Sequence, residues 1–473
     1  MARSLYIRAD GNPEIGMGHI SRCIALANML KGEFVPLFYM KESVAVKLVQ
    51  SSGFNVVLLE TEVEFIATLK GREVVVLDGY HFHSSYQVEI RNRGSLLICI
   101  DDLHNGKFEA DIIINHSPGA SVRDYETASH SKLLLGLDFA LLRPAFLENA
   151  ISKRPVVPVD CILICFGGSD QMNLTTSIVK VVLKYASMLK KILIVTGAAF
   201  AHTASLESEI GKVETVKHFH NVSEQTMIEI MQEAQAAIVQ SSGILIESIA
   251  MKLINIAGYY VNNQIETYNG FVKLNSIIGV DNFDLLKVDK ALSDVLIEQK
   301  WSVKFDLIDG QSGRRTCGAI LSSYISRYME IRRATLDDSS QYFEWANDPD
   351  VRKNSIGTEK IEWLTHTGWF ETRVQSEKSQ LFVSSCDHEM IGQVRFERED
   401  EKWIIGFSID KKFRGLKLGT QLVKKAITML RKYSSLPICA TIRDANISSL
   451  RIFEILRFSK SHSEQGYTYY ILN

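Results

Sequence analysis

The sequence predicts an α/β chain in which two doubly wound lobes face each other across a cleft and a smaller α+β unit follows. Three observations predict it. Through the first two thirds, fully apolar β-rich runs alternate with amphipathic helical stretches, the pattern of parallel sheets covered on both faces. A proline-rich break, "ISKRPVVPVD", splits that region into similar halves, each starting with a strand and a glycine-containing loop. Near residue 328 the texture becomes richer in charge and aromatics, and antiparallel-looking strands follow. A chain of 473 residues exceeds one ordinary core, and the expected domains are 1–152, 153–327 and 328–473.

In the first lobe the candidate strands are "SLYI", "EFVPLFYM", "NVVLL", "EVVVLD", "LLICIDD" and "ADIIIN". After the first of them, "HISRCIALANMLKG" carries Ile20, Cys23, Ile24, Ala27 and Leu30 at three- and four-residue spacing, one buried helical stripe that Gly32 ends. Strands resume in the second lobe with "CILICFGG", "KILIVTG", "AAIVQSS" and "INIAGYY". The third unit starts with "SYISRYMEIRRATLDDSSQYFEWANDPDVRKNS" and continues with "QLFVSSCDHEMIGQVRFERED" and "EKWIIGFSID" as strands. A helix from Leu418 to about Tyr433, the strand "PICATI" and the short helix "ISSLRIFEIL" complete it.

Composition narrows the function classes. With 46% hydrophobic and 23% charged residues the chain reads as soluble and globular. A net charge of -2 supplies no global drive toward nucleic acid or acidic membrane. No apolar run approaches the roughly 18 residues of a membrane span, and no leader pattern opens the chain, so a cytoplasmic protein is expected. Its seven cysteines are scattered and odd in number, which fits reduced thiols. Cys161 and Cys165 lack a second pair at metal-ligand spacing, and "HFH" at 81–83 lacks a third ligand and reads as ordinary loop; no metal is expected.

His19 falls in the first turn of the first helix, among free backbone N–H groups. The positive end of the helix dipole disfavours an imidazolium there, so a neutral ring able to take a proton is favoured. Gly16 and Gly18 just ahead let the backbone approach a ligand closely. By pattern alone, a capping or packing histidine fits equally well.

"RADGNPEIGMGHISRCIALA" resembles the opening of the UDP-2,4-diacetamido-2,4,6-trideoxy-β-L-altropyranose hydrolases of pseudaminic acid biosynthesis, relatives of the two-lobed nucleotide-sugar glycosyltransferases of the B type. The resemblance continues through "VVLDGYHF", "IDDLHNGKFEADIIIN", "LLGLDFALLRPAF", "ICFGGSDQMNLT" and "SSGILIESIAMK", over about residues 3 to 325. It implies that His19 is the catalytic base, that Asp10, Asp78 and Tyr80 line the sugar side, and that Gly16, Gly18 and Arg22 belong to the same site. UDP would lie in the second half. There Gly167, Gly168 and Ser169 can present N–H groups to the diphosphate, and Asp170 and Asn173 complete that turn. Ser241 and Ser242 open a helix carrying Glu247, whose carboxylate would accept from the ribose hydroxyls. Ser241 is also a candidate helix cap. Asn263 and Gln264 match the family's pair beside the phosphates. Water attacking C1 opposite UDP would then give hydrolysis with inversion. Glycosyl transfer and a sugar-nucleotide-binding scaffold are the competing readings of the same pocket.

"SIDKKFRGLKLGTQLVKKAITML" forms a strand, a basic glycine loop and a helix, an anion cradle from Arg414 to Thr420. With "RDANISSLRIFEILRF" downstream it resembles the GCN5-related N-acetyltransferases, which bind acetyl-CoA as co-substrate. The resemblance implies that the backbone of Leu418, Gly419 and Thr420, with Arg414, Gly415 and Lys417, holds the pyrophosphate, and that Asn446 fixes the pantetheine arm. "EWANDPDVRKNS" and "HTGWF" resemble the acetyltransferase of a UDP-4-amino-sugar in the same pathway, so Trp345, Asn347, Arg352 and Trp369 would shape the amino-sugar side. Three departures stand out. Lys417 and Arg457 replace glycines usual in the family, and Phe453 replaces a common tyrosine acid.

Overall fold

The computed structural model describes residues 3–11, 17–41, 45–155 and 157–473. The chain divides into two compact units, one ending at Cys317 and the other spanning Gly318–Asn473. That division falls inside the helix Ser312–Tyr328, slightly ahead of the boundary expected from sequence.

The strands of the first lobe are β1 (Arg3–Ala9), β2 (Phe34–Met40), β3 (Asn55–Leu58), β4 (Val74–Asp78), β5 (Leu96–Ile100), β6 (Lys107–Phe108), β7 (Ile112–Asn115), β8 (Glu126–Thr127) and β9 (Lys132–Leu135). Seven of them form one parallel sheet in the order β3-β2-β1-β4-β5-β7-β9, while β6 and β8 pair separately. Every residue of β4, β5 and β7 is buried, as expected of strands covered on both faces. The strand order reverses between β1 and β4, which run parallel with Ile7 beside Val76 and Ala9 beside Asp78. In such sheets the crevice opens beyond the carboxyl ends of those two strands.

The second lobe repeats the plan with β10 (Cys161–Cys165), β11 (Lys191–Thr196), β12 (Val216–His220), β13 (Ala236–Gln240), β14 (Ile254–Gly258) and β15 (Ile278–Gly279). Their order is β12-β11-β10-β13-β14-β15, again all parallel, with the reversal between β10 and β13. The helix Pro144–Ala150 lies before the proline-rich break, yet Phe146, Leu147 and Ala150 join the core under this second sheet, beside Cys161, Leu163 and Cys165. The chain thus crosses between lobes ahead of residue 152.

In the second unit β16 (Glu330–Arg333), β17 (Ser379–Cys386), β18 (Glu389–Glu399), β19 (Lys402–Ile409), β20 (Ile438–Arg443), β21 (Ser459–Glu464) and β22 (Tyr467–Leu472) form one sheet, ordered β16-β17-β18-β19-β20-β22-β21. All neighbours are antiparallel except β19 and β20. That parallel pair keeps register only at Trp403 with Ile438 and Ile404 with Cys439. Beyond it the two strands are no longer paired. Among the described residues no helix is long and apolar enough to cross a membrane.

Candidate functional site

The first lobe builds a cavity of about 380 Å³ where the ends of β1 and β4 meet, lined by Asp10, His19, Asp78, Gly79, Tyr80, His81 and His83. His19 sits in the first turn of the helix Gly18–Leu30 and is 5% exposed. Its Nδ1 lies 2.6 Å from Asp78 Oδ1, and Tyr80 meets the ring edge-on with centroids 5.0 Å apart. The carboxylate accepts from Nδ1, which leaves Nε2 as the open nitrogen of the ring. Arg22 lies one turn along the same helix face. It donates to both Asp78 oxygens at 2.6 Å and to Asp102 at 2.7 Å. Burial pushes the Asp78 carboxyl up, but the Arg22 guanidinium and then His19 outweigh it and hold it well below the usual carboxylate range. Losing Arg22 would strand a buried carboxylate, a cost of about 3–5 kcal/mol.

Asp10 lines the same cavity with its oxygens engaged: Lys41 N–H donates to Oδ1 at 2.7 Å, and the fully buried Arg8 contacts Oδ2 at 2.6 Å. Glu62 takes Arg8 from the other side, at 3.0 and 2.6 Å. Gly18 is open to solvent, since a Cβ there would meet nothing within 4 Å. Gly16 lies outside the described residues. His81 and His83 read as ordinary loop from sequence, but they are cavity walls. Among the described residues no group of three or more His, Cys, Asp or Glu could hold a metal.

The second lobe brings a glycine turn to the same place. Gly167 has φ +76°, and a Cβ on it would meet Gln240 Nε2 at 2.6 Å, so any other residue here would be strained and would displace the Gln240 amide. A Cβ on Gly168 would touch Met17 Cγ at 3.6 Å. The turn therefore stands opposite the start of the His19 helix. Ser169 is half-buried beside it. Asp170 does not face the cleft. It is 2% exposed and accepts from the N–H groups of Leu174 and Thr175 at 2.9 and 2.8 Å, so it caps the helix Leu174–Leu183 and occupies donors an anion would otherwise use. Asn173 is likewise turned to its neighbours, accepting from Thr176 Oγ1 at 2.6 Å.

Ser241 caps nothing. The helix Gly243–Ala250 has Ser242 as its N-cap without a side-chain bond, and the buried Ser241 hydroxyl has no partner. One oxygen of Glu247, Oε1, takes Arg143 Nε and Nη2 at 3.1 and 2.8 Å. Burial raises the Glu247 carboxyl, and Arg143 reverses only part of that. Asn263 Nδ2 donates to the Tyr80 hydroxyl at 3.0 Å, joining the lobes across the cleft, while its Oδ1 is buried without a partner. Gln264 is buried, accepts from Tyr260 N–H at 3.1 Å and reaches Gln240 at 3.4 Å, so it braces the strand end behind the glycine turn. Sequence reasoning missed Arg143, although "LLRPAF" contains it, and His116, whose Nδ1 accepts from Leu141 N–H at 3.1 Å.

In the second unit, Gly415 and Lys417 hold left-handed backbone at φ +82° and +57°, turning the chain into the helix Gly419–Leu430. Leu418 is its N-cap, with no side-chain bond, so the first-turn N–H groups of Gly419 and Thr420 remain for an anion. A Cβ on Gly419 would meet Ile452 at 2.5 Å, so glycine also lets this helix start press against the helix Ile447–Ile455. Arg414 is not available to the loop. It is held by Asp348 at 2.7 Å and Asp350 at 2.9 Å, and by the Ile409 carbonyl at 3.2 Å. Asn446 spends its oxygen capping Ser449 N–H at 3.2 Å.

Two of the four amino-sugar candidates are structural. Trp345 is 3% exposed, packs in the core and donates to Asp410 at 2.8 Å. Asn347 uses both ends of its amide on the backbone of Ile361, at 3.0 and 2.8 Å. Arg352 and Trp369 lie nearer the surface, and Trp369 faces Arg395. Phe453 is buried among Phe407, Phe458 and Tyr470, an apolar packing position.

Parts of the chain match known proteins. The acetyltransferase (GNAT) domain model matches residues 329–459. An uncharacterised protein of Methanocaldococcus jannaschii is 24% identical over 97% of both chains. The UDP-2,4-diacetamido-2,4,6-trideoxy-β-L-altropyranose hydrolase of Campylobacter jejuni is 26% identical over 57% of this chain and 96% of its own. A spore coat polysaccharide biosynthesis protein of Bacillus subtilis is 26% identical over 56% of this chain and 80% of its own. The chain thus couples an N-terminal unit similar to a sugar-nucleotide hydrolase with a C-terminal acetyltransferase domain of the GNAT type.

Proposed function

We propose that the N-terminal unit, two lobes of glycosyltransferase-B type, hydrolyses UDP-2,4-diacetamido-2,4,6-trideoxy-β-L-altropyranose to free sugar and UDP. The GNAT domain, in this reading, uses acetyl-CoA to acetylate the amine of the UDP-4-amino-sugar one step earlier. The observation that carries the first activity is the Gly168 turn standing against Met17, opposite the helix that presents His19. An anion in that turn and a sugar in the cavity would place C1 between them.

Water then attacks C1 as the bond from C1 to the diphosphate oxygen breaks. His19 Nε2 takes the water's proton, and UDP departs on the opposite face, which inverts C1. Asp78, pinned by Arg22, keeps Nδ1 protonated and the ring aimed. General-base help of this kind supplies about 10²–10⁴-fold, and the rest comes from positioning and anion stabilisation. Glu247 Oε2 and the unpartnered Ser241 hydroxyl are suited to the ribose. In the second unit the amine attacks the thioester carbonyl, the C–S bond breaks, and coenzyme A leaves with the proton lost by the amine. The unpaired end of β19, with free backbone groups beyond Ile404, suits the pantetheine arm. Seven free cysteines fit a reducing, cytoplasmic compartment.

Hydrolysis in ¹⁸O-water checks the reading. Label is expected on the sugar and not on UDP, and His19→Ala should slow UDP release by about 10²–10⁴-fold. Label on UDP, or an undiminished His19→Ala enzyme, would overturn it, and UDP released only when an acceptor sugar is consumed would favour glycosyl transfer.

A further inference from the structure

Two adjacent serines on one helix use their hydroxyls differently. From Gly318 on, the helix Ser312–Tyr328 belongs to the second unit. Ser323 bonds back along it, to the Ala319 carbonyl at 2.9 Å, the bond open to any serine inside a helix. Ser322 instead donates outward, to the Leu416 carbonyl at 2.6 Å. Gly318 lies one turn earlier on the same face. A Cβ there would sit 3.8 Å from Leu416 Cδ2, so the helix passes directly beside this residue. Just past the helix end, the Met329 carbonyl accepts from Lys425 Nζ, on the helix Gly419–Leu430 into which the Leu416 segment leads.

Leu416 comes immediately before a change of backbone hand. Lys417 is left-handed at φ +57°, and Leu418 is right-handed at φ −76° and ψ −18°. A pair of opposite hand turns successive N–H groups, here those of Lys417, Leu418 and Gly419, toward one point, a concavity suited to an anion. None of these three N–H groups, nor that of Thr420, has a hydrogen-bond partner among the described residues. Across a trans peptide the carbonyl of one residue and the N–H of the next point in opposite directions. The hydroxyl that holds the Leu416 carbonyl against the helix therefore sends the Lys417 N–H away from the helix, into the concavity. Lys417 has a Cβ and does not keep this conformation as freely as glycine would, so the bond from outside the loop matters more.

We propose that Ser322 is a positioning residue for the coenzyme: its bond to the Leu416 carbonyl aims the Lys417 N–H, beside those of Leu418 and Gly419, at the pyrophosphate of acetyl-CoA. The proposal rests on the reading of Arg414–Thr420 as the coenzyme loop. It adds a residue from outside the matched domain, since position 322 precedes the span 329–459. The helix ahead of that domain is then part of the coenzyme site and not only a connection.

In the full chain, Ser322→Ala should weaken coenzyme A binding about tenfold by calorimetric titration, with the fold retained in a thermal melt. KM for acetyl-CoA should rise by the same factor, while kcat and the KM of a UDP-linked amino-sugar stay as in the parent. S-acetylpantetheine, which carries the thioester but no pyrophosphate, should serve both proteins equally as donor. Ser322→Thr keeps the hydroxyl and should restore most of the affinity. Unchanged coenzyme A binding in Ser322→Ala would overturn the proposal. An equal loss with S-acetylpantetheine would overturn it too, because the hydroxyl would then support the fold alone. A parent chain that binds no coenzyme A would refute the loop reading itself, and this proposal with it.

Discussion

Arg457 and Lys417 occupy positions where the GCN5-related acetyltransferases commonly carry glycine, and both adopt the left-handed backbone that glycine would take freely, at φ +63° and +57°. For a residue with a Cβ that conformation costs roughly 1–2 kcal/mol. Arg457 ends the helix Ile447–Ile455, with its N–H on Glu454 and the next N–H, of Phe458, on Phe453. Arg457→Gly should therefore stabilise the chain by about 1 kcal/mol, less what glycine loses in the unfolded state. The measurement is the urea midpoint, which should rise with no change in slope; a lower midpoint would show that the arginine side chain outweighs its backbone strain. At this scale the sequence identifies donors and acceptors but not what uses them up. Asp170, Gln264, Asn347 and Arg414 all have the right chemistry for ligands, and each is spent on a protein partner. His19, Asp78 and Tyr80, which the sequence groups because motif and strand end coincide, line one cavity, whereas Arg22 as the residue that fixes Asp78 emerges only from geometry.

Elements were legible where burial is two-sided. Fully buried strands such as β4, β5, β10 and β13 have to be continuous apolar runs, and they stand out as such. The exposed β21, "SKSHSE", and the short β16, "EIRR", lack both apolar run and clean alternation and were missed. For the helix Pro144–Ala150, its apolar residues mark a buried face without saying which sheet it covers. The glycine turn after β10 shows how elements define the site jointly. Gly197, at the end of β11, lies so close beneath it that a Cβ would sit 2.5 Å from Gly168 Cα and 2.8 Å from the Gly167 carbonyl oxygen. Gly197→Ala must displace the turn, and overpacking of this kind costs about 1–3 kcal/mol. If the turn holds the diphosphate, UDP affinity should fall about tenfold or more with the fold retained, as read by calorimetry and a thermal melt. A lower melting temperature with unchanged UDP affinity would remove the turn from the binding site.

Across the N-terminal unit, histidines tie stability to pH with opposite signs, His116 and His218 held down by burial and His104 held up. His116 is held down, to about 4, first by burial and then by the Arg22 guanidinium. An unfolded histidine titrates near 6.5, so between about 6.5 and 4 the unfolded chain binds a proton that the folded one refuses. Its contribution is complete above about 6.5 and is lost as pH falls toward 4, worth at most about 3 kcal/mol and less where the ring meets solvent. His104 is raised, first by its bond to Glu266, which joins the first lobe to the helix Ile265–Lys273 of the second. Here the folded form holds its proton more tightly, so the contribution is complete below about 6.5 and disappears as pH rises through the folded value. The two slopes meet near neutrality, and the melting temperature of the unit should peak there. His116→Gln keeps an acceptor for Leu141 N–H and should flatten only the acid side; Glu266→Gln removes the charge facing His104 and should flatten only the alkaline side. Glu266→Gln isolates His104, whereas the acid-side slope left in His116→Gln belongs to His218; Asp78 titrates far below this range. Melts at half-unit steps from pH 4.5 to 8.5 would show it, and a His116→Gln curve parallel to the parent's on the acid side would mean that this buried ring is not what acid attacks.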